Sequence, residues 1–338
     1  MSHSAWLFCA LLISMVVILF LILKVKLNAA IALVLGSILM GILSGITTLE
    51  TIDGINVGFG NMLKGMGLPI GFGIILGELV SASGGAKIIA DKIVQAFPKN
   101  KAIYAIGLAA FVLAIPVYFD VTFVILIPIG MALMKEINKS IAHVVGAITI
   151  GAAAAHTMVP PTPAPLAAGE IFGFDTGLMI AFGGIVSLIG VFVVIKIYTM
   201  ILDKSEKFWK PEKDIATEAV IVKEETTNIK KPSFAMAMLP IIVPIIMIII
   251  NTVANSVLGE AEPEIFKFIG DKTTALLAGA IVAYLIAVRS MGQKAAEKAA
   301  TDSLSSAGIV FLITGAGGAF SNIITITGVS DAISDIVS

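Results

Sequence analysis

Two short stretches concentrate the chemistry this sequence can do. The first is IPVYFDVT at 115–122. Asp120 is the one charged residue in the apolar segment 102–134. A charge at membrane depth costs at least ~2.5 kcal/mol on insertion scales, so such a group normally faces a cavity or a partner. Pro116, just ahead of it, breaks a helix and frees backbone carbonyls. Asp120 is thus a candidate for substrate and proton handling, and a carboxylate there can also cap the half-helix that follows. Tyr118, Phe119 and Thr122 share this tip.

The second stretch is AHTMVPPTPAPL at 155–166. Pro160, Pro161, Pro163 and Pro165 cannot continue a helix. Inside a span they make an unwound stretch with a new helix starting near Pro165. Unwound backbone at membrane depth is tolerated only where protein or a water-filled cavity surrounds it. A helix N-terminus facing that gap suits an anion, and Thr157 and Thr162 add hydroxyls. The alternative is a Pro-rich loop outside the membrane, but no Asp, Glu, Lys or Arg occurs from Val144 to Ala168. His156 can exchange a proton near neutral pH or serve as a plain hydrogen-bonding strut. Glu78, inside another apolar run, is a secondary polar site.

Composition says where these stretches sit. The chain is 58% hydrophobic and 13% charged over 338 residues, with mean hydropathy +1.03. A soluble domain carries about 25% charged residues. The bilayer must therefore be the solvent, and long apolar runs select helices over a barrel. A formal charge of −1 points to no nucleic-acid partner, and the lone Cys9 allows neither a disulfide framework nor a metal cluster. No cofactor is expected. The run 5–23 is read as a retained span in preference to a signal peptide, because its lysines follow it.

Spans are expected near 5–23, 28–48, 59–81, 141–169 (interrupted), 177–199, 234–254, 273–288 and 305–327. Segment 102–134 is too long for one straight span and too short for two with a turn. If it enters and leaves on one side, every lysine and arginine except Lys64, Lys267 and Lys272 falls in the cytoplasm. The positive-inside rule therefore favours a re-entrant hairpin. The polar stretch 203–233 is expected to be a cytoplasmic linker between a first half, 1–202, and the start of a second, 234–338. Residues from Gly67 weakly echo those from Gly308, with opposite orientation, as an inverted repeat requires. On that pattern the chain ends before a second hairpin and a second broken span. The clusters Gly71/Gly73/Gly77 and Gly315/Gly317/Gly318 are read as helix-packing sites, not nucleotide loops.

At 58–85, IPVYFDVTFVILIP (115–128), HTMVPPTPAPLAA (156–168) and GAGGAF (315–320), the sequence resembles the gluconate permease family. These are gluconate:proton symporters of the ion transporter superfamily. The resemblance implies an all-α polytopic inner-membrane protein with inverted repeats, re-entrant hairpins, broken helices and elevator-like movement. It implies proton-coupled uptake of gluconate or a related small hydroxycarboxylate, with D-serine in one branch. By position, Tyr118, Phe119, Asp120 and Thr122 lie at the hairpin tip, and Thr157, Pro160, Pro161, Thr162 and Pro163 at the broken span. Family members continue well past the equivalent of Ser338, and a homodimer is a family-level expectation. A membrane enzyme is disfavoured by the lack of HExxH, GxSxG or closely paired carboxylates. A non-transporting binding protein and a passive channel are the other rivals.

Overall fold

A computed structural model describes residues 3–137, 139–204 and 230–329. The expected linker, 203–233, falls for the most part outside them. So does the end of the second repeat unit, beyond residue 329.

The described residues form helices joined by short turns. In chain order these are α1 (His3–Leu23), α2 (Ala29–Ser44), α3 (Thr48–Ala82), α4 (Gly85–Gln95), α5 (Ala102–Ala114), α6 (Phe119–Ile137), α7 (Ile141–Met158) and α8 (Pro163–Phe172). Then come α9 (Thr176–Leu178), a π-helical turn (Met179–Gly183), α10 (Gly184–Lys204), α11 (Phe234–Leu258), α12 (Glu264–Gly270), α13 (Lys272–Met291) and α14 (Gln293–Ile326). Among the described residues, seven candidate spans are long and apolar enough to cross a bilayer. The segments Ile141–Phe172 and Thr176–Lys204 each count as one of them. Large apolar side chains such as Leu23, Phe182, Ile189, Val257 and Leu285 are exposed, as a lipid-facing surface requires.

Three helices depart from the expected bounds for local reasons. Helix α3 starts at Thr48, well before the expected 59, because Thr47 and Glu50 form a capping box. The Thr47 N–H donates to Glu50 Oε2 (3.0 Å), and the Glu50 N–H donates to Thr47 Oγ1 (3.2 Å). Helix α14 starts at Gln293, directly after Gly292 at φ 87°. Helix α2 stops at Ser44, where Gly45 adopts the left-handed conformation.

The chain divides into two compact units, residues 1–68 with 306–338 and residues 69–305. The division runs through α3 and α14. In the first unit Leu7, Ala10, Met40, Ile55, Ala319 and Ile323 form the core. A Cβ on Gly58 would lie 2.6 Å from the Gly318 carbonyl, so α3 and α14 touch backbone to backbone here. The Asn322 amide donates to the Gly54 carbonyl (2.7 Å) beside that contact.

In the second unit α5 is central. It is apolar all round and almost wholly buried, as a helix enclosed by others must be. It packs on α4, α6, α7 and α10. A Cβ on Gly151 of α7 would sit 2.1 Å from the Gly107 carbonyl of α5, so those backbones also meet directly. With 13 residues, α5 is about 20 Å long at 1.5 Å per residue. That is short of the ~30 Å hydrocarbon core. Residues 115–118 separate it from α6.

Candidate functional site

Both expected breaks are present, and they come together. The first lies between α5 and α6, at 115–118. The second lies between α7 and α8: Val159 turns to extended backbone, and Pro163 begins the new helix. Proline accounts for both, since it lacks the N–H that would continue the ladder.

Two glycines, Gly77 and Gly183, let neighbouring backbones press onto the breaks, and a third, Gly73, lies in ordinary contact with one. A Cβ on Gly77 of α3 would meet the Pro116 carbonyl oxygen at 2.0 Å. One turn earlier, a Cβ on Gly73 would contact Pro161 at 3.7–3.9 Å. A Cβ on Gly183, in the π-helical turn, would lie 2.4 Å from the Met158 carbonyl at the end of α7. One face of α3 therefore seats both breaks.

Hydrogen bonds tie the breaks together. The Thr162 hydroxyl reaches both the His156 carbonyl (2.9 Å) and the Val159 carbonyl (2.8 Å), stitching α7 to α8. His156 Nδ1 lies 3.3 Å from the Ala114 carbonyl, at the end of α5. A carbonyl only accepts, so Nδ1 carries the proton there, and Nε2 of the neutral ring keeps a lone pair. The Tyr118 ring stands 6.4 Å from the His156 ring, tilted by 47°.

These groups border a small pocket, partly open to its surroundings. It is lined by Tyr118, His156, Pro161, Thr162 and Pro163, with Ile115 and Pro116 from the first break and Ile70, Gly73 and Ile74 from α3. Asp120, Phe119, Thr122, Thr157 and Pro160 lie outside that lining. Asp120 is exposed in the first turn of α6, where its Oδ1 accepts from the Val121 N–H (2.9 Å). It is within Coulombic reach of Tyr118 and His156. The Thr157 hydroxyl is exposed and turned back onto the Ala153 carbonyl (2.8 Å). Thr122 is fully buried, and neither its hydroxyl nor that of Tyr118 has a partner among the described residues.

The sequence missed the contribution of α3. Its signal was the run of Ile70, Gly73, Ile74 and Gly77 at helical spacing after Pro69. The start of α8 also differs in detail. The helix begins at Pro163, not near Pro165, and both residues lack an N–H. The Leu166 N–H is bonded to Thr162, which leaves Ala164 as the one free donor in the first turn. The helix dipole remains available to an anion, but direct N–H contacts are few.

Elsewhere Ser140, His143 and Asp203 line up like a hydrolytic triad. Ser140 Oγ is 2.5 Å from His143 Nδ1, and His143 Nε2 is 3.0 Å from Asp203 Oδ1. Ser140 and His143 are each 1% exposed, so no substrate reaches the hydroxyl. The arrangement is the capping box of α7, and Asp203 also pairs with Lys139 (2.6 Å).

The molecule is thus an all-α, multi-pass membrane protein whose two helix breaks converge on one pocket that carries Tyr118, His156 and Thr162. It belongs to the GntP family of permeases, whose model matches residues 6–338. It is similar to the gluconate permease of Bacillus subtilis, at 31% identity over 94% of this chain and 73% of the relative. It is also similar to the gluconate permease of Pseudomonas aeruginosa, at 29% identity over 98% of this chain and 74% of the relative. The low-affinity gluconate transporter of Escherichia coli K12 is 28% identical over 96% of this chain and 72% of its own length. The protein is a permease, not an enzyme.

Proposed function

We propose that the protein takes up gluconate, or a related small hydroxycarboxylate, together with protons across the inner membrane. The observation that carries this is the convergence of the two breaks on the pocket bordered by Tyr118, His156 and Thr162. The names of the relatives give the substrate class. The short α5 and the break after it suit a re-entrant hairpin, and the 141–172 segment suits a broken span. In the inverted-repeat plan these two would be the moving parts.

Proton coupling follows from charge. A substrate carboxylate near Asp120 meets like charge, and a proton on Asp120 or His156 removes the repulsion or reverses it. Substrate and proton then favour each other's binding, which is thermodynamic coupling. Tyr118, Phe119, Thr122, Thr157, Pro160, Pro161, Thr162 and Pro163 shape the site around them. With the tip hydroxyls unpartnered, a polyhydroxy acid offers matching donors and acceptors once the tip opens.

The test is uptake of labelled gluconate by membrane vesicles under an imposed pH gradient. Accumulation that a protonophore collapses is expected, and Asp120→Asn should uncouple it. Accumulation that follows a sodium gradient would refute proton coupling. Uptake of D-serine with no uptake of gluconate would move the substrate to another small carboxylate.

A further inference from the structure

We infer that Glu78 of α3 is the onward proton carrier from Asp120 of α6 to Asp302 of α14. This rests on the proton-coupled reading above, and it adds a residue and a route that the site does not contain.

Glu78 is the one charged residue between Lys64 and Lys87. A carboxylate inside so long an apolar stretch is expensive, and normally serves a pathway or a partner. It has no partner of opposite charge. Glu78 makes no hydrogen bond or ion pair among the described residues, and the charges acting on it are Asp302 and Asp120, both acidic. It gains nothing from its helix either. It lies about one turn from the C-terminus of α3, where the helix dipole disfavours an anion. A residue kept there against all three terms is not there for stability.

Its position is set by contact. The adjoining Gly77 lies against the Pro116 carbonyl, so α3 brings residue 78 to the root of the tip that carries Asp120. The same tip holds the buried, unpartnered hydroxyls of Tyr118 and Thr122. Glu78 is half-buried, whereas Asp120 and Asp302 are both exposed. It is therefore the most sheltered of three carboxylates drawn from three helices, within Coulombic reach of the other two. Asp302 follows the basic stretch 289–298, which the lysine pattern assigns to the cytoplasm.

Three carboxylates with no cation among them can share a proton, and a proton arriving at one relieves repulsion on the next. The sequence of transfers balances. Asp120 gives its proton to the Glu78 carboxylate through intervening water, since the two make no direct hydrogen bond, and becomes ionised. Glu78 passes it by the same kind of water relay to Asp302 and becomes ionised in turn. Asp302, being exposed, releases it to water.

The test compares wild type, Glu78→Gln and Glu78→Asp in vesicles by two assays. One is gluconate accumulation driven by a pH gradient. The other is exchange of external labelled gluconate for internal gluconate with no gradient, which needs no net proton movement. Glu78→Gln should lose accumulation and keep exchange, and Glu78→Asp should keep both. Accumulation by Glu78→Gln at the wild-type level would overturn the inference. So would loss of both assays in both variants, which marks a structural residue. Wild-type accumulation that follows sodium and ignores pH would also overturn it. If wild type shows neither activity, the gluconate reading fails by itself. Proton uptake by Glu78 is then read from the carboxyl infrared band of purified wild type against Glu78→Gln, and an unchanged band refutes it.

Discussion

Replacing Gly77 by alanine tests whether α3 seats the first break. The new Cβ would stand 2.0 Å from the Pro116 carbonyl oxygen, 2.9 Å from its carbonyl carbon and 3.3 Å from Val117 Cα. All three are backbone atoms, so no rotamer change relieves the clash. To restore ordinary contact, α3 and the break must separate by about 1.4 Å, and overpacking of that kind costs about 1–3 kcal/mol. Alanine would return up to ~1 kcal/mol in helix propensity. Gly60, in the same helix, supplies the control, because a Cβ there meets nothing within 4 Å. Gly60→Ala should leave the unfolding midpoint unchanged or raise it, whereas Gly77→Ala should lower it. Thermal unfolding of the purified protein in detergent reads both. Gluconate uptake should weaken in Gly77→Ala alone, since the break also lines the pocket. A Gly77→Ala protein as stable and as active as Gly60→Ala would refute the contact.

Three further outcomes follow from other contacts. Thr162→Val keeps shape but removes the bonds to the His156 and Val159 carbonyls. Leaving such acceptors unpaired costs about 1–3 kcal/mol, and apparent gluconate affinity should fall with the melting midpoint. Asp203→Ala should destabilise more than Lys139→Ala. The first strips the buried His143 of its acceptor, at ~1–3 kcal/mol, whereas the second loses a part-exposed ion pair worth up to ~1 kcal/mol. Gly151→Ala drives a Cβ to 2.1 Å from the Gly107 carbonyl. It should lower the yield of folded protein in membranes, measured by size-exclusion chromatography, more than Gly190→Ala, which meets open space.

The fold class and both breaks were legible because they rest on local chemistry. Hydropathy needs no tertiary information, and proline stops a helix wherever it falls. The start of α3 was legible too, in the Thr47–Glu50 spacing, but hydropathy alone hides a cap that precedes the apolar run. What could not be read were contacts between residues far apart in the chain. Nothing near Gly77 announces Pro116, and nothing near His143 announces Asp203. Glycine spacing signalled close approach without naming the partner. The weakness of the α8 N-terminus as a donor was readable in principle, since Pro163 and Pro165 both lack an N–H. A helix start is simply assumed to be rich in donors unless its residues are checked one by one.

The two breaks also have two unlike sides, and the difference constrains how they can work. On one side lies the pocket with Tyr118, His156 and Thr162. On the other, Ile115, Pro116 and Pro161, here joined by Pro160, border a second, small space. Its remaining walls are Leu76, Ile180, Ile241, Pro244, Ile245, Ile248 and Leu276. A carbonyl freed by proline cannot be satisfied in such apolar surroundings. The Pro116 carbonyl itself turns against the backbone of α3 at Gly77. Apolar packing thus lies behind the breaks, and Tyr118, His156 and Thr162 collect on the opposite face.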